Sequence, residues 1–283
     1  MKIVLFSRVP RWYSFKNERL ASRLTADGHK IVGVVVEQTG TLKSIREWIW
    51  KLGFRVFFNK VLTKVSGKKS QNTPTKTSTD KSLNIKVSPK VFFVKSHNST
   101  ECVEILKSLQ PEVIVLRGCG IVKKQVLEVP KIGVINPHYA LLPDYRGMDV
   151  TEWSALHGDP IAVSVHAVNE GVDTGKVLKS RIIKADAEDT TGTLRDKCAA
   201  LAVDLISEAL AGIEKTRALP KELIEAGGKQ YFQMHLRLKK LADERLRKFG
   251  AEKTIKPSVK LERDKLNLDS ERAAQNLQST QNL

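Results

Sequence analysis

The sequence predicts an α/β fold, a three-layer, doubly wound domain with a mainly parallel sheet and a basic C-terminal extension. Three observations carry that expectation. Strand, helix and strand patterns follow one another between Lys2 and Val36. Short apolar runs such as Ile31–Val36 and Val113–Leu116 suit strands covered on both faces. Between the runs, apolar residues shift to helical spacing, the alternation that builds a parallel sheet.

In chain order, residues 2–6 read as a strand and Lys16–Ala26 as a helix with Leu20, Ala21 and Leu24 on one face. Gly28 is placed to cap that helix, and Ile31–Val36 completes a βαβ unit. The order then breaks in an aromatic and basic insertion over about 42–90. Within it, Leu42–Leu62 interleaves Trp48, Trp50, Phe54, Phe57 and Phe58 with Arg46, Lys51, Arg55 and Lys60, and reads as one amphipathic helix or two broken at Gly53. Burial against the domain or a partner subunit, as in a homodimer, fits its broad apolar arc. Peripheral contact of 42–62 with an anionic membrane surface is the alternative. Ser66–Ser82, dense in Lys, Thr, Ser, Asn and Gln, reads as a mobile surface loop.

Regular structure is expected again at a strand near Val91–Val94 and a helix over Thr100–Leu109 capped by Asn98 or Ser99. Val113–Leu116 is a buried strand, and Arg117-Gly-Cys-Gly-Ile-Val122 the loop at its carboxyl end, where ligands bind in open α/β sheets. A short helix over Lys123–Leu127, a strand at Gly133–Asn136 and a helix over Asp149–His157 with Trp153 and Leu156 inward come next. Strands at Ile161–Val168 and Lys176–Ile183 flank a turn at Gly171–Gly175. Thr190–Ile213 is a long amphipathic helix with Leu194, Cys198, Leu201, Ala202 and Leu205 on one face. These elements make one domain over residues 1–215. Residues 216–283 read as an extension with a basic helix over Tyr231–Phe249 and a disordered end.

The 283 residues can bury a sizeable core. A formal net charge of +17, much of it in Lys60–Lys95 and Lys215–Lys265, favours anionic partners but fits solvated basic loops equally well. Cys102, Cys119 and Cys198 are too scattered for a disulfide scaffold or a zinc site, and Cys119 reads as a buried structural thiol. The amino terminus reads as a first strand and is too short for a secretory signal. No run approaches the ~18 apolar residues a membrane span requires. A cytoplasmic location is expected.

Two segments carry the chemistry: Asn136-Pro-His-Tyr-Ala-Leu-Leu-Pro-Asp-Tyr-Arg-Gly147 and Val163-Ser-Val-His-Ala-Val-Asn-Glu-Gly-Val-Asp-Thr-Gly175. They place an amide, an imidazole and a carboxylate near strand ends, groups suited to moving an acyl unit onto an amine. Such a transfer needs donors aimed at a developing oxyanion and a group that manages the amine's proton. Asn136 offers an amide donor and His138 a second donor able to shuttle a proton. His166, on an alternating strand, reads as a hydrogen-bonded core histidine, and His157 as exposed. Leu141–Pro143 read as a stiff apolar wall, and Tyr145–Gly147 as a turn into the next helix.

These segments resemble the signature of the folate-dependent formyltransferases: Asn-x-His, Leu-Leu-Pro-x-Tyr-Arg-Gly, then a Val-Thr-Val-His strand leading to Asp-x-Gly, with Ser164 here in place of the Thr. The resemblance covers about Met1–Ile213 and implies a Rossmann-like enzyme that takes its formyl group from 10-formyltetrahydrofolate, with no metal. It implies a catalytic trio of Asn136, His138 and Asp173. Asn136 and His138 would polarise the formyl oxygen, while Asp173 orients His138 and accepts the amine's proton, directly or through water. It further implies that the pterin is held largely by backbone groups at Ile121, Val122 and Lys123, then at Asn169, Glu170 and Asp173. Lys123 stands where relatives often carry an apolar residue.

The acceptor is open at this level. The family's purine-biosynthesis members bind a ribonucleotide phosphate with a glycine-rich loop after the first strand. Here that loop, Ser7–Ser14, has no glycine, which disfavours glycinamide ribonucleotide. Members acting on methionyl-tRNA add a basic β-barrel, and the sequence after Ile213 is basic but lacks alternating strands, so tRNA stands on charge alone. A small-molecule amine, above all a nucleotide-linked amino sugar, is the favoured acceptor. A formyltransferase-like fold kept as a nucleic-acid-binding module is the non-enzymatic alternative.

Overall fold

The computed structural model describes residues 1–8, 15–38, 89–186, 188–220 and 227–249. Seven strands form one sheet: β1 (Lys2–Arg8), β2 (Lys30–Glu37), β3 (Val91–Val94), β4 (Val113–Leu116), β5 (Gly133–His138), β7 (Ile161–Ala167) and β8 (Val177–Ile183). Their order is β3-β2-β1-β4-β5-β7-β8. The first five pair in parallel, β7 runs antiparallel to β5, and β8 antiparallel to β7. A second, two-stranded sheet joins β6 (Tyr145–Gly147) to β9 (Lys229–Tyr231) in parallel.

The helices are α1 (Phe15–Ala26), α2 (Thr100–Leu109), α3 (Lys124–Leu127), α4 (Val150–His157), α5 (Thr191–Thr216) and α6 (Leu236–Phe249). Alternation along the strands sorts the core into two faces. Ile3 and Leu5 of β1, with Val113 and Val115 of β4, meet Leu20, Leu24, Leu194, Leu205 and Leu210 of α1 and α5. Val4, Phe6, Ile114 and Leu116 instead meet Cys102 and Leu106 of α2 and Val126 of α3. Burying such a side chain fully contributes roughly 1.5–3 kcal/mol, so the two faces together carry the three layers.

Of the two expected caps for α2, Ser99 is the one used, its side chain accepting from the Cys102 N–H. Gly28 has φ +82° and closes α1 through a bond to the Thr25 carbonyl. Strand β5 runs two residues past its expected end at Asn136, because pairing with β7 continues through Pro137 and His138. The inward face of α4 is broader than the expected Trp153 and Leu156, which pack half-buried against the core. Val150, Thr151, Glu152, Ser154 and Ala155 are buried there, with Trp153 and Leu156 at its margin. A glutamate is tolerated inside because Arg195 reaches it at 2.9 Å and Lys239 at 3.3 Å.

Residues 229–249 pack onto the domain. The basic helix begins at Leu236 instead of Tyr231, since Lys229–Tyr231 are drawn into β9. Ala242 and Leu246 of α6 join the core shared with α5. Cys102 and Cys198 are buried, and burial pushes both thiols up to about 12. Cys119, expected to be buried, is half-buried. Among the described residues no helix is long and apolar enough to cross a membrane. The expectations for Leu42–Leu62, for Ser66–Ser82, for most of the loop after β1 and for the last thirty or so residues lie outside the described residues.

Candidate active site

The parallel strands end on one edge of the sheet, and the two signature segments meet there. Asn136 and His138 lie on the same side of β5, two residues apart. Register with β7 sets Asn136 opposite His166 and His138 opposite Ser164. The Gly171–Gly175 turn then folds back between β7 and β8. Asp173 takes φ +52° in that turn, and Gly175 packs so tightly that a Cβ would lie 1.8 Å from the Ala167 carbonyl. Asn169 stiffens the turn by accepting from the Gly171 N–H at 3.0 Å and the Thr174 hydroxyl at 2.7 Å.

The Asp173 carboxylate sits between two imidazoles. Oδ2 is 3.4 Å from His138 Nδ1, and Oδ1 is 3.3 Å from His166 Nε2. The Gly147 N–H also donates to Oδ2 at 2.8 Å. Burial alone would raise this carboxyl. The His166 hydrogen bond, the fields of both imidazoles and the Gly147 N–H outweigh burial and hold it down to about 2. Asp173 is therefore ionised at neutral pH.

His138 is buried, and burial lowers its pKa more strongly than the nearby carboxylate raises it. Its Nε2–H donates to the Tyr145 carbonyl at 2.6 Å. A neutral ring pinned in that tautomer turns the bare Nδ1 toward the carboxylate. Two acceptors then face one another across 3.4 Å, an arrangement that captures a proton when one is delivered. The expectation that His138 polarises the formyl oxygen meets a competitor here, because its one N–H is bonded to Tyr145.

The structure thus brings His138 and Asp173 together directly and joins Asn136 to them through His166, whose Nε2 lies 3.2 Å from Asn136 Nδ2. His166 is buried, as expected of a core histidine, but it is also a member of the cluster. Its Nδ1–H donates to the Ala167 carbonyl at 2.7 Å. Its place opposite Asn136 is the signal that marks it, and that place depends on the register of two strands.

Of the remaining predicted positions, Val122 is buried in the apolar cluster that also packs Cys119 and Val168. Ile121 projects with 70% of its surface exposed. Asn98 holds this loop by both ends of its amide, donating to the Ile121 carbonyl at 2.8 Å and accepting from the Lys123 N–H at 2.7 Å. Glu170 is exposed at the tip of the opposite turn. An exposed apolar side chain beside loop backbone at the strands' carboxyl ends suits one face and one edge of a flat heteroaromatic ring. Two surface clefts, of about 500 and 620 Å³, include none of Asn136, His138 and Asp173. Among the described residues no cluster of three or more His, Cys, Asp or Glu could hold a metal ion.

The protein is thus an α/β domain, a doubly wound sheet carrying an amide, two imidazoles and a carboxylate at the carboxyl edge of its strands. The model of the family described as "Formyl transferase" matches residues 30–210, well over half of the sequence, and the chain belongs to that family. It is 36% identical over 164 residues to the methionyl-tRNA formyltransferase of Halothermothrix orenii, covering 57% of this chain and 52% of that one. It is 37% identical over 121 residues to the enzyme so named from Thermodesulfovibrio yellowstonii, covering 42% of this chain and 39% of that one. The chain spans about half the length, or less, of the curated relatives it matches. Among solved structures, glycinamide ribonucleotide transformylase 1 from Symbiobacterium toebii superposes with a TM-score of 0.54 at 16% identity over 79% of this chain and 92% of its own. A sugar N-formyltransferase from Shewanella gives 0.51 at 14% identity over 87% of both chains. Likenesses at that identity establish the fold.

Proposed function

We propose that this protein transfers a formyl group from 10-formyltetrahydrofolate to a primary amine, with a nucleotide-linked amino sugar as the acceptor class. The observation that carries the reaction is the ionised Asp173 facing the bare Nδ1 of a buried, neutral His138. The cosubstrate, when bound, supplies the formyl carbon and the nitrogen that departs from it. Asn136 Nδ2 carries two hydrogens, and its one contact, with His166 Nε2, engages at most one of them, so at least one is left as the donor for charge developing on the formyl oxygen. His138 and Asp173 take the proton the amine loses as the new carbon–nitrogen bond forms, and they return it to the departing nitrogen. Ile121 and the Val122 backbone would support the pterin.

The acceptor class is supported by the loop after β1, which lacks the glycines of a phosphate-binding turn. Methionyl-tRNA is the second reading, favoured by the 36–37% identity to relatives of that name.

One assay separates these readings. The full chain is offered 10-formyltetrahydrofolate with nucleotide-linked amino sugars, glycinamide ribonucleotide or charged tRNA, and the gain of one formyl group is read by mass. Gain on an amino sugar, lost in folded His138→Ala and Asp173→Ala proteins, is the expected result. Full turnover in both variants would reject the site, and salt-sensitive RNA retention without turnover would favour a binding module.

A further inference from the structure

We propose that the segment β9–α6 is a positioning device for the His138–Asp173 pair, and that Tyr231 is the positioning residue through which it acts. This inference rests on the reading of that pair as the proton acceptor. Both members are oriented by backbone groups of one three-residue strand. Tyr145 of β6 presents its carbonyl to His138, and Gly147 of β6 presents its N–H to Asp173. A strand so short has almost no stability of its own, and a two-stranded ribbon is marginal without further packing. Whatever holds β6 therefore sets the tautomer of His138 and the field at Asp173.

The holding contacts come from the chain after α5. Lys229 N–H donates to the Asp144 carbonyl at 3.0 Å, and Met148 N–H donates to the Tyr231 carbonyl at 2.9 Å, one bond at each end of β6. The Tyr231 ring stacks on the Tyr145 ring, with centroids 4.9 Å apart and planes 15° from parallel. Trp153 lies 5.3 Å from the same ring and donates its indole N–H to the Phe232 carbonyl at 2.8 Å. The approach is close. A Cβ on Gly147 would meet the Tyr231 carbonyl at 2.1 Å, and one on Gly228 would meet the Pro143 carbonyl at 1.9 Å. The segment is then tied down behind the strand. Asp149 accepts from the Met234 N–H at 3.0 Å and pairs with Lys239 at 2.8 Å.

Tyr231 touches neither His138 nor Asp173, so its influence passes through β6. Removing its ring leaves Tyr145 unstacked and lets the Tyr145 carbonyl and Gly147 N–H drift. His138 would then lose the partner that pins its Nε2–H, with Asp173 and His166 the titratable groups still facing it.

The test follows the His138 imidazole by NMR titration in the full chain, which requires no acceptor. Turnover with 10-formyltetrahydrofolate and whichever amine the panel identifies is measured in parallel. Tyr231→Phe keeps the stack but removes the hydroxyl contact with Tyr145, and should lie between the wild type and Tyr231→Ala in both. Tyr231→Ala should move the His138 titration by about half a pH unit or more and lower kcat on the order of ten-fold. The KM for the folate should stay within about two-fold of wild type. Should Tyr231→Ala fail to fold, Trp153→Phe serves instead. It removes the bond to the Phe232 carbonyl and part of the ring packed on Tyr231, and should shift the titration in the same direction by less. An unchanged His138 titration and kcat in the folded variant overturn the proposal. Full turnover of His138→Gln would instead reject the catalytic reading, while a titration that still answers to Tyr231 would leave the coupling standing.

Discussion

Asn136 lies directly across the antiparallel β5–β7 pair from His166, its amide nitrogen 3.2 Å from the His166 Nε2. That contact extends a chain of polar groups from His138 through Asp173, and it makes His166 the joint between the amide proposed to polarise the formyl oxygen and the pair proposed to accept the proton.

His166→Phe should therefore keep the packing of β7 while removing both ring nitrogens. Asn136 loses the ring it rests against, and Asp173 the hydrogen bond that most lowers its pKa. Turnover should fall by roughly 10–100-fold, the scale of a misplaced catalytic group, with far-UV circular dichroism unchanged. Wild-type kcat in this variant would return His166 to a packing role alone.

Gly175→Ala places a methyl 1.8 Å from the Ala167 carbonyl, a backbone atom of a fully buried strand that cannot yield. The turn must lift, carrying Asp173 off His138. The expected outcome is a loss approaching 10²-fold in kcat, with the melting temperature lowered by only a few degrees because the core is untouched. Gly192→Ala, where a Cβ would meet nothing closer than 3.5 Å, is the control and should be near neutral in activity.

Asn98→Ala removes both bonds that hold the Ile121–Lys123 loop. No group of the His138–Asp173 pair moves. A rise in KM for the folate of roughly 5–50-fold with kcat near the wild-type value is expected from steady-state kinetics. A fall in kcat at constant KM would show that this loop does something other than grip the cosubstrate.

Stability should rise with pH across the histidine range. Burial lowers the pKa of His29, His97 and His138, so below about pH 6.5 the unfolded chain takes up protons that the folded chain refuses. Stability is then complete above that pH and declines as pH falls. Asp173, held at about 2, adds a second contribution that is intact above about pH 4 and lost as pH falls through 2. Urea midpoints measured from pH 7.5 to 5 should drop, and drop less in His97→Gln. A flat profile across that interval would contradict the assignment of these rings as neutral.

The sheet is largely legible in the residue pattern. The residues of β1 alternate between two covered faces, and each run of Val and Ile is too apolar to be anything but an inner strand. The candidate trio is legible too, because Asn136, His138 and Asp173 stand in a spaced signature. The brace is not. Lys229-Gln-Tyr231 is three polar or amphipathic residues with no period to detect, and its pairing with Tyr145–Gly147 spans more than eighty positions. The role of His166 is hidden for a related reason, since a histidine on a buried strand looks the same whether its neighbour is a valine or an amide.

Residue chemistry and short-range spacing alone determined the class of fold, the family resemblance and which side chains could handle a proton. Only the folded chain decided which nitrogen of His138 carries the hydrogen, what lowers the Asp173 carboxyl and which distant strand holds both in place. The reason is directional. Amide N–H and carbonyl groups are identical in almost every residue, so where Tyr145 and Gly147 aim theirs is set by register and packing between segments, which no local pattern encodes.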